Sequence, residues 1–520
     1  MSNAITVTLI GKKTTDVSDN LVALRVDYEL NKIPSASMVL SDGNFADREY
    51  PLFNSADLKI GAELDIQIRY EQTGDTNTSI FKGVVVASEF GADKGLPTLK
   101  VGLKDPGFRL KHAVDTNLFS KKTDKNMIET VISSSSGVSL SKTAASLSSV
   151  THDQFVRKQQ SAWDFVQARA GAYGLVVRFD NGAMSMVELD ETSGSQSVEL
   201  GIDEVLDMAL VQNAESLNKT VNLNYWDVKK NATGAVKKTD SATIAKDASV
   251  PDATYTLMNL TDKKSAEGVK QYFSTLETME SICGTITIPG DSSVQLMQKL
   301  TLKSFPATYN GDHTVSRVTQ DIRFGTWTTK IGIGFSSVAD FIPNPVENPT
   351  SPKVTDTEFA LALKWAKDPE GLGRIPVKIL AFGTDTYWAY PSQVAAGKKQ
   401  SSYVLPEEDE QLIVGFLNGS YNEGFVITST YLGSNKPPSP FKLDAKTPVG
   451  FLSTAGMKLV FDDDKTSIEM STSSSNKQFM DKSGGVEVKT NKDFKTNSSG
   501  KTEIKASSKM TLKGATIDLN

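Results

Sequence analysis

The chain has 520 residues, a formal net charge of -6 and a single cysteine, Cys283. This length exceeds what one hydrophobic core supports, so we expect several domains. The acidic balance disfavours nucleic-acid binding, which needs a basic surface, and one cysteine excludes an intrachain disulfide.

The first residues, MSNAITVTLIGKK, have no basic segment before a long apolar run, so we expect no secretory signal and synthesis in the cytoplasm. Residues 1–110 then alternate apolar and polar side chains with the period of two that is typical of strands. In LVALRVDYEL, residues 21–30, the apolar face carries Val22, Leu24 and Val26. We predict a β-rich domain, barrel-like or a sandwich, over 1–110.

Residues 111–345 combine predicted helices with further strands. TDKNMIETVISSSSG carries an apolar stripe that includes Met127 and Val131, which predicts an amphipathic helix. A second helix is predicted in SAWDFVQARAGAYG, where Ser161 and Asp164 have the spacing of a capping box. A third is predicted in KKSAEGVKQYFSTLETMESI, and strands in GTITIPG and HTVSRVTQDIRFGTWTTKIGIGF. This region is therefore predicted to hold a helical insert and a second barrel-like domain.

Two proline-rich segments divide the rest of the chain. Four prolines in FIPNPVENPTSPKVTDT interrupt strand hydrogen bonding and predict a linker at 346–357. The segments RIPVKILAF and EQLIVGFLNGSYNEGFVITSTYL predict another β domain over 358–435. A second linker, KPPSPFKLDAKTPV, is predicted at 436–449.

The tail, residues 450–520, is polar but carries small apolar clusters about every eight residues. That spacing is too short for a helical repeat and lacks the strict heptad of a coiled coil. A strand of about five residues plus a turn fills each step, yet one chain cannot bury so thin an apolar edge. We therefore predict a triple-stranded intertwined β-helix, or prism, formed by a trimer; a disordered tail is the alternative. The residues predicted to fill its interior are Leu459, Phe461, Ile468, Met470, Val486, Val488, Phe494, Ile504, Met510 and Leu512.

Several motifs resemble a single family. FKGVVVASEF followed by LKVGLKDPGFRLKHAVDTNLFSKKTDKNMIETVI is similar to a first hub barrel and its helix, and KDPEGLGRIPVKI is similar to the opening of an OB-fold domain. Together with SAWDFVQARAGAYGLVVRFDNGAMSMVE, YNGDHTVSRVTQDIRFGTWTTKIGIGF and LPEEDEQLIVGFLNGSYNEGFVITSTYLG, they are distributed in the expected order over residues 75–435. The chain resembles the VgrG-type spike of contractile injection systems, a fusion of baseplate hub and central needle. The OB-motif residues are Asp368, Pro369, Gly371, Gly373 and Arg374.

The resemblance implies a mainly β fold with a few helices: two interleaved barrel-like hub domains over 1–110 and 111–345, an OB-fold collar and a trimeric C-terminal needle. It implies a structural, non-enzymatic central spike that caps the inner tube and pierces the target membrane on contraction. The implied partners are further copies of the chain, the inner tube protein, baseplate proteins, transiently the target membrane, and a PAAR-type tip protein docked at Ile517 and Leu519. The protein would belong to a contractile tail particle, released or injected extracellularly.

The residues themselves offer no catalytic or metal site. The three histidines, His112, His152 and His313, have no metal-ligand spacing, and Cys283 has no base beside it, so we expect structural roles for all four. We predict no cofactor, no metal and no nucleic-acid partner. Two other classes of protein stay open, a cell-wall hydrolase and a trimeric receptor-binding adhesin of a phage-like tail.

Overall fold

The fold is that of a computed structural model of the chain. The described residues are 5–71, 76–93, 95–192, 194–215, 217–227, 230, 232–239, 249–257, 262–335, 357–397, 399, 401–417, 420–431, 433, 436–442, 448–473 and 476–518. The predicted linker at 346–357, apart from its last residue, lies outside the described residues, as does Leu519. The chain divides into two compact units, Met1–Thr430 and Tyr431–Asn520.

The N-terminal strands of the first unit form where the sequence alternates. In β3, Leu24 and Val26 are buried while Arg25 between them is exposed, because successive side chains of a strand point to opposite faces. Strands β1 to β7 are Ile5–Ile10, Thr14–Asp16, Leu21–Glu29, Ser35–Ser41, Glu63–Tyr70, Thr78–Asp93 and Leu96–Lys104.

The middle of the first unit mixes strands with three helices. Strands β8 to β14 are Val114–Thr123, Ser139–Thr143, Thr151–Ser161, Val176–Asp180, Ala183–Val187, Ser195–Glu199 and Asp207–Gln212. Strands β15 to β21 are Thr220–Asp227, Ala232–Thr239, Ala253–Leu257, Ile282–Pro289, Lys299–Lys303, Gly311–Arg323 and Thr326–Ile333. Helices α1, α2 and α3 are Asp124–Ile132, Ala162–Gly171 and Lys263–Ser281.

The two predicted hub domains share one sheet of 13 strands. Its order is β14-β18-β21-β20-β3-β4-β7-β6-β5-β1-β2, with β19 pairing β20 and β13 pairing β19. β20 joins the halves by pairing with β3, and it contributes Val318 to one apolar core and Ile322 to the other. The sequence predicted two interleaved barrels; the strands interleave in this way, but the path of the sheet through the described residues is open.

The helices start at the residues that the sequence indicates. Ser161 accepts a hydrogen bond from the Asp164 N–H at 3.0 Å, which caps α2, and its hydroxyl donates to the Asp164 carboxylate at 2.7 Å in place of the backbone bond of a full capping box. Asp262 caps α3 by accepting from the Ser265 N–H at 3.0 Å. α2 is buried nearly all round, and its buried residues include Arg169.

A closed barrel of five strands ends the first unit. Strands β22 to β26 are Glu358–Ala362, Ile375–Ile379, Tyr387–Pro391, Gln411–Phe416 and Gly424–Ser429, and they close in the order β22-β23-β24-β26-β25. Small five-stranded barrels of this kind are OB folds, as the sequence predicted. The barrel interior holds Val377, Tyr387 and Leu412, all fully buried.

The second unit is one antiparallel sheet. Strands β27 to β31 are Val449–Leu452, Lys458–Asp462, Ser467–Ser471, Lys477–Met480 and Val486–Lys489, paired in sequence order. Residues 490–518 contain neither helix nor strand in the single chain. The sequence predicted strands up to the C-terminus; in an intertwined β-helix the hydrogen-bonding partners of such strands belong to other chains, so one chain cannot form them alone.

Candidate functional site

The predicted OB motif folds around one buried ion pair in the loop before β23. Asp368 accepts hydrogen bonds from the backbone N–H groups of Glu370, Leu372 and Arg374 at 3.0, 2.9 and 3.2 Å. The Arg374 guanidinium donates to both Asp368 oxygens, with Nε at 3.2 Å and Nη2 at 2.9 Å. Bidentate pairs of this type fix geometry as well as charge.

The remaining motif residues shape the same loop. Pro369 is exposed, and Gly371 and Gly373 have positive φ angles of 67° and 79°, a region that L side chains rarely adopt. Burial alone would raise the pKa of Asp368, but its hydrogen bonds to the Arg374 side chain and backbone outweigh this and hold that pKa below its usual value. Asp368 therefore organises the loop as a carboxylate.

Arg374 also faces a strand of the hub. Its Nη2 lies 3.8 Å from Oδ2 of Asp153 in β10, and Lys121 in β8 donates to the other Asp153 oxygen at 2.8 Å and to Glu370 of the loop. Arg374 also interacts with Glu423 of the barrel. Burial raises the pKa of Glu423, and the positive charge of Arg374 partly offsets that rise. The motif thus forms one side of a junction between the barrel and the antiparallel pair β8–β10, which is called the hairpin below although α1 and β9 connect its two strands.

The hairpin enters the apolar core of the barrel. Leu118 of β8 and Val156 of β10 are buried in the cluster that contains Ala360, Val377 and Leu412. Buried apolar side chains of this size contribute about 1.5–3 kcal/mol each relative to an exposed position. The barrel and the hub therefore share a core instead of meeting at a polar linker.

Gln154 connects the hairpin to the barrel by hydrogen bonds. Its Oε1 accepts from the Trp388 N–H at 2.9 Å, and its Nε2 donates to the carbonyl oxygens of Trp388 and Asn422, both at 2.9 Å. The Asn422 side chain accepts from the Val156 N–H at 3.0 Å. The buried Gln154 side-chain amide thus bonds to both the N–H and the C=O of Trp388 in β24, as the backbone of a neighbouring strand would.

A further ion pair lies along the same junction. Lys158 of β10 donates to Glu358 at the start of β22 and lies 5.0 Å from the centre of the Tyr421 ring. Burial would lower the pKa of Lys158, but Glu358 and Tyr421 outweigh burial and raise it. Because both members of the pair are largely buried, its loss would leave a charge poorly solvated.

A charged network anchors the base of the hairpin. Asp124, fully buried at the start of α1, accepts from Arg169 of α2, from the Tyr173 hydroxyl at 2.6 Å, and lies 2.8 Å from Nε2 of His152. Burial would raise the pKa of Asp124, but Arg169 and His152 outweigh it and hold that pKa far below its usual value. β10 therefore carries His152 into this network and, one residue later, Asp153 into the junction.

The remaining histidines and the cysteine, which the sequence analysis considered as possible reactive groups, contact ordinary protein groups. His313 contacts the Tyr309 carbonyl at 2.8 Å, and the His112 ring lies 6.4 Å from that of Phe108. Cys283 is buried on β18, and burial raises the pKa of its thiol. In the described part of the chain, no three His, Cys, Asp or Glu side chains converge to hold a metal ion. Nor does any helix there have the length and hydropathy needed to cross a membrane.

The C-terminal sheet presents two apolar rows on one face. Residues directly opposite each other in an antiparallel sheet lie on the same face, as do residues two positions apart in one strand. The first row is Val449, Phe461, Ile468, Met480 and Val486; the second is Phe451, Leu459, Met470, Gln478 and Val488. Apart from Gln478 every member is apolar, and all but Leu459 and Ile468 are classed as exposed.

The opposite face of this sheet is mixed: its Lys and Glu side chains form ion pairs, and among them lie Leu452, Val460 and Phe479. Lys458 pairs with Glu469 at 3.0 Å and Lys477 pairs with Glu487 at 2.8 Å. Among the described residues of this unit, Val460 is the one apolar side chain that is fully buried. A sheet with one solvated, partly charged face and one apolar face needs a covering layer on the apolar face.

The predicted interior residues fall into two groups. Leu459, Phe461, Ile468, Met470, Val486 and Val488 lie on the two apolar rows. Phe494, Ile504, Met510 and Leu512 lie beyond the sheet and are exposed, as is Ile517 of the predicted tip site.

Two protein-family models match parts of the chain. The model of the Alg8 N-terminal domain matches residues 2–323, more than half of the chain. The chain belongs to the Alg8 N-terminal domain family. A second model, the type VI secretion system/phage-baseplate injector OB domain, matches residues 363–431 of this family member, which contain the Asp368–Arg374 loop and most of the barrel. No curated protein matches the chain significantly.

Solved structures share the fold of this Alg8-domain protein at low identity. A chain of a Francisella PdpA-VgrG complex has a TM-score of 0.60 at 11% identity, with 94% of this chain and 88% of that chain covered. The E. coli c3393 protein, a type VI secretion component similar to phage T4 gp27 and gp5, has a TM-score of 0.52 at 9% identity, with 79% and 97% covered. A 43 kDa prophage MuSo2 tail protein from Shewanella oneidensis has a TM-score of 0.51 at 12% identity, with 64% and 98% covered.

The predicted resemblance to VgrG-type spikes is confirmed by these matches. This Alg8-domain protein is a baseplate- or spike-like structural component of the phage-tail and type VI secretion class. The OB motif is visible in the sequence, but three residues of β10 that contact the barrel were not predicted: Asp153, Gln154 and Lys158. The mostly polar sequence of β10, HDQFVRKQQ, does not indicate that this strand contacts a barrel about 200 positions later in the chain.

Proposed function

We propose that the protein is the central spike of a contractile injection apparatus, active as a homotrimer and without enzymatic activity. Its hub domains, 1–110 and 111–345, cap the inner tube and couple to baseplate proteins. The OB barrel, 358–435, forms a collar, and residues 450–520 form the needle. On contraction the needle pierces the target membrane, so the protein is carried in a tail particle and acts outside the cell that made it.

The exposed apolar face of the C-terminal sheet supports this proposal most strongly. Nine apolar side chains in two regular rows have no covering layer within the described residues of their own unit. Burying them stabilises an assembly by on the order of 10–20 kcal/mol per chain. Three copies with their apolar faces inward enclose such rows on a common axis, and the opposite faces with their Lys–Glu pairs then form the outer surface.

The segment after the sheet supports the same arrangement. Phe494, Ile504, Met510 and Leu512 continue the apolar clusters where one chain forms no strand of its own. Strands that hydrogen-bond to other chains would satisfy this backbone and bury these side chains together. A closed β structure of that kind is stiff and has few free edges.

The junction between the hub and the barrel gives the spike a route for force. A collar joined to the hub by shared apolar side chains, Gln154 and buried ion pairs transmits an axial load without bending at a flexible linker. The domain match to an injector OB domain agrees with this role.

The solution mass of the full chain tests the trimer. Light scattering should give about three times the chain mass of 56.3 kDa. Phe461→Asp, on an apolar row, should reduce that mass to the monomer value, because a carboxylate cannot be buried unpaired on the axis. Phe479→Asp is the matched control on the opposite face, where the proposal places the outer surface, and it should remain trimeric. A wild-type monomer, or equal effects of the two substitutions, would refute the proposed needle.

A further inference from the structure

A cluster of four aromatic rings is exposed on the N-terminal part of the hub. Phe90 is its centre: its ring centroid lies 4.8 Å from that of Tyr50, 5.6 Å from Phe53 and 6.4 Å from Phe45. The rings meet edge to face, with interplanar angles from 65° to 87°. Phe45, Phe53 and Phe90 nevertheless remain 41%, 40% and 43% exposed.

The loop that carries three of these rings is held rigidly. Asp42 is fully buried and accepts from the N–H groups of Leu52 and Phe53 at 2.9 and 2.7 Å. Gly43 has a φ of 70°, and a Cβ atom there would lie 1.8 Å from the Glu49 carbonyl oxygen, so the turn requires glycine. The Asp42 N–H donates to the Pro97 carbonyl at 3.1 Å, which ties the loop to β7. The rings are thus positioned before any partner arrives.

The fourth ring lies on an arm formed by the ends of β6 and β7. Phe90 is opposite Leu99 in this pair, and β6 continues to Asp93, where the arm turns. Residues 88–90 are exposed, and Leu96 at the start of β7 is 63% exposed. The arm therefore presents apolar side chains beside the aromatic loop, at a site that uses none of the hub–barrel contacts.

The charge of this region is acidic. The loop and the arm, residues 42–61 and 88–96, together contain six acidic and three basic residues. Asp47 and Glu49 lie between Phe45 and Tyr50 in the loop, and both are exposed. Edge-to-face rings offer crevices for an apolar side chain and no flat platform for stacking a sugar ring. Such a surface complements an apolar side chain flanked by basic residues.

We propose that the aromatic arm, defined as Phe45, Tyr50, Phe53, Phe90 and Leu96, is the docking surface for a different protein of the same particle. That partner presents an apolar side chain flanked by Lys or Arg. The inference rests on the proposed function only in taking the partner from a tail particle. Phe90 is the energetic centre of the surface because it contacts the three other rings, as buried aromatic anchors at protein interfaces commonly do.

Site-specific photo-cross-linking in assembled particles tests the proposal. The probe, p-benzoylphenylalanine, replaces Phe90 in one variant and Phe324 in the control. Phe324 is 89% exposed in the turn between β20 and β21 and belongs to no aromatic cluster in the described structure. We expect an adduct from position 90 alone, mapped by mass spectrometry to a second protein at a segment with an apolar residue and neighbouring Lys or Arg.

Binding of the partner so identified gives the second measurement. Phe90→Ala should weaken its affinity about 30-fold, and Phe324→Ala should leave it unchanged. Raising the salt concentration should weaken the wild-type complex, because opposite charges border the contact. An adduct with another copy of the chain, with a lipid or glycan, or with no molecule would overturn the proposal, as would salt-independent binding. If the solution mass is still trimeric, such a result removes the docking surface and leaves the proposed spike intact.

Discussion

Replacing Gln154 with leucine should loosen the OB barrel from the β8–β10 hairpin while both keep their folds. Leucine has a similar volume, so the shared core stays filled, but three hydrogen bonds to Trp388 and Asn422 are lost. Each contributes about 1 kcal/mol net, which makes the docking weaker by about 3 kcal/mol. Because 1.36 kcal/mol corresponds to a factor of ten, the open state should become about 150-fold more populated.

Hydrogen–deuterium exchange of the Trp388 amide measures this change directly, because that N–H donates to Gln154 in the docked state. We expect its exchange to rise by about two orders of magnitude in Gln154→Leu. Gln393→Leu is the control: Gln393 makes two similar bonds to Val404 in the exposed connection between β24 and β25, and none to the hub among its described contacts. Exchange at Trp388 that stays within threefold of wild type would show that Gln154 does not hold the junction.

Three other changes have defined outcomes. Arg374→Met should lower the free energy of unfolding by about 3–5 kcal/mol in urea titrations, because Asp368 stays buried without its cation; an effect below about 1 kcal/mol would contradict a buried pair. The pKa of Asp124 is lower in the folded protein than in the unfolded chain, where it is about 3.9. Its ion pair therefore stabilises the fold at pH values above about 3.9, and this stabilisation is lost as the pH falls from that value towards the pKa of the folded state. Stability should therefore drop from pH 7 to pH 3 less in Asp124→Asn than in wild type, and equal drops would exclude that contribution. Changing Ile517 and Leu519 together to Asp should abolish pull-down of a PAAR-type tip protein while the trimer mass persists, and retained tip binding would disprove the tip site.

Local signals in the sequence predicted much of the fold. Ser161 caps α2 through the Asp164 N–H, as their spacing indicates, and the alternation around Leu24 and Val26 gives a strand with one buried face. The OB motif was recognisable because its loop is stabilised within seven residues, from Asp368 to Arg374. Each of these features depends on neighbours in the chain.

Features that depend on distant partners could not be predicted in this way. Gln154 and Trp388 are 234 positions apart in the chain. Arg169 in α2 would be predicted to lie on the surface, because the sequence does not show that it pairs with Asp124. Nothing near β3 indicates that it pairs with β20, which aligns Glu29 with Arg317. The proposed needle is a different case: its apolar clusters are visible in the sequence, but in that proposal the hydrogen-bonding partners of residues 490–518 belong to other chains.

The position of Leu118 and Val156 limits how such proteins can recombine. These two side chains are encoded with the hub, yet they complete the interior of the barrel that follows it. If the barrel were replaced by that of a relative, its side chains would leave a cavity beside Leu118 and Val156 or clash with them. The segments equivalent to 114–123 and 151–161 would have to be exchanged together with the barrel to avoid this. Natural or engineered exchange between spikes of this kind should therefore have its breakpoints outside the hairpin and not at the proline-rich segment.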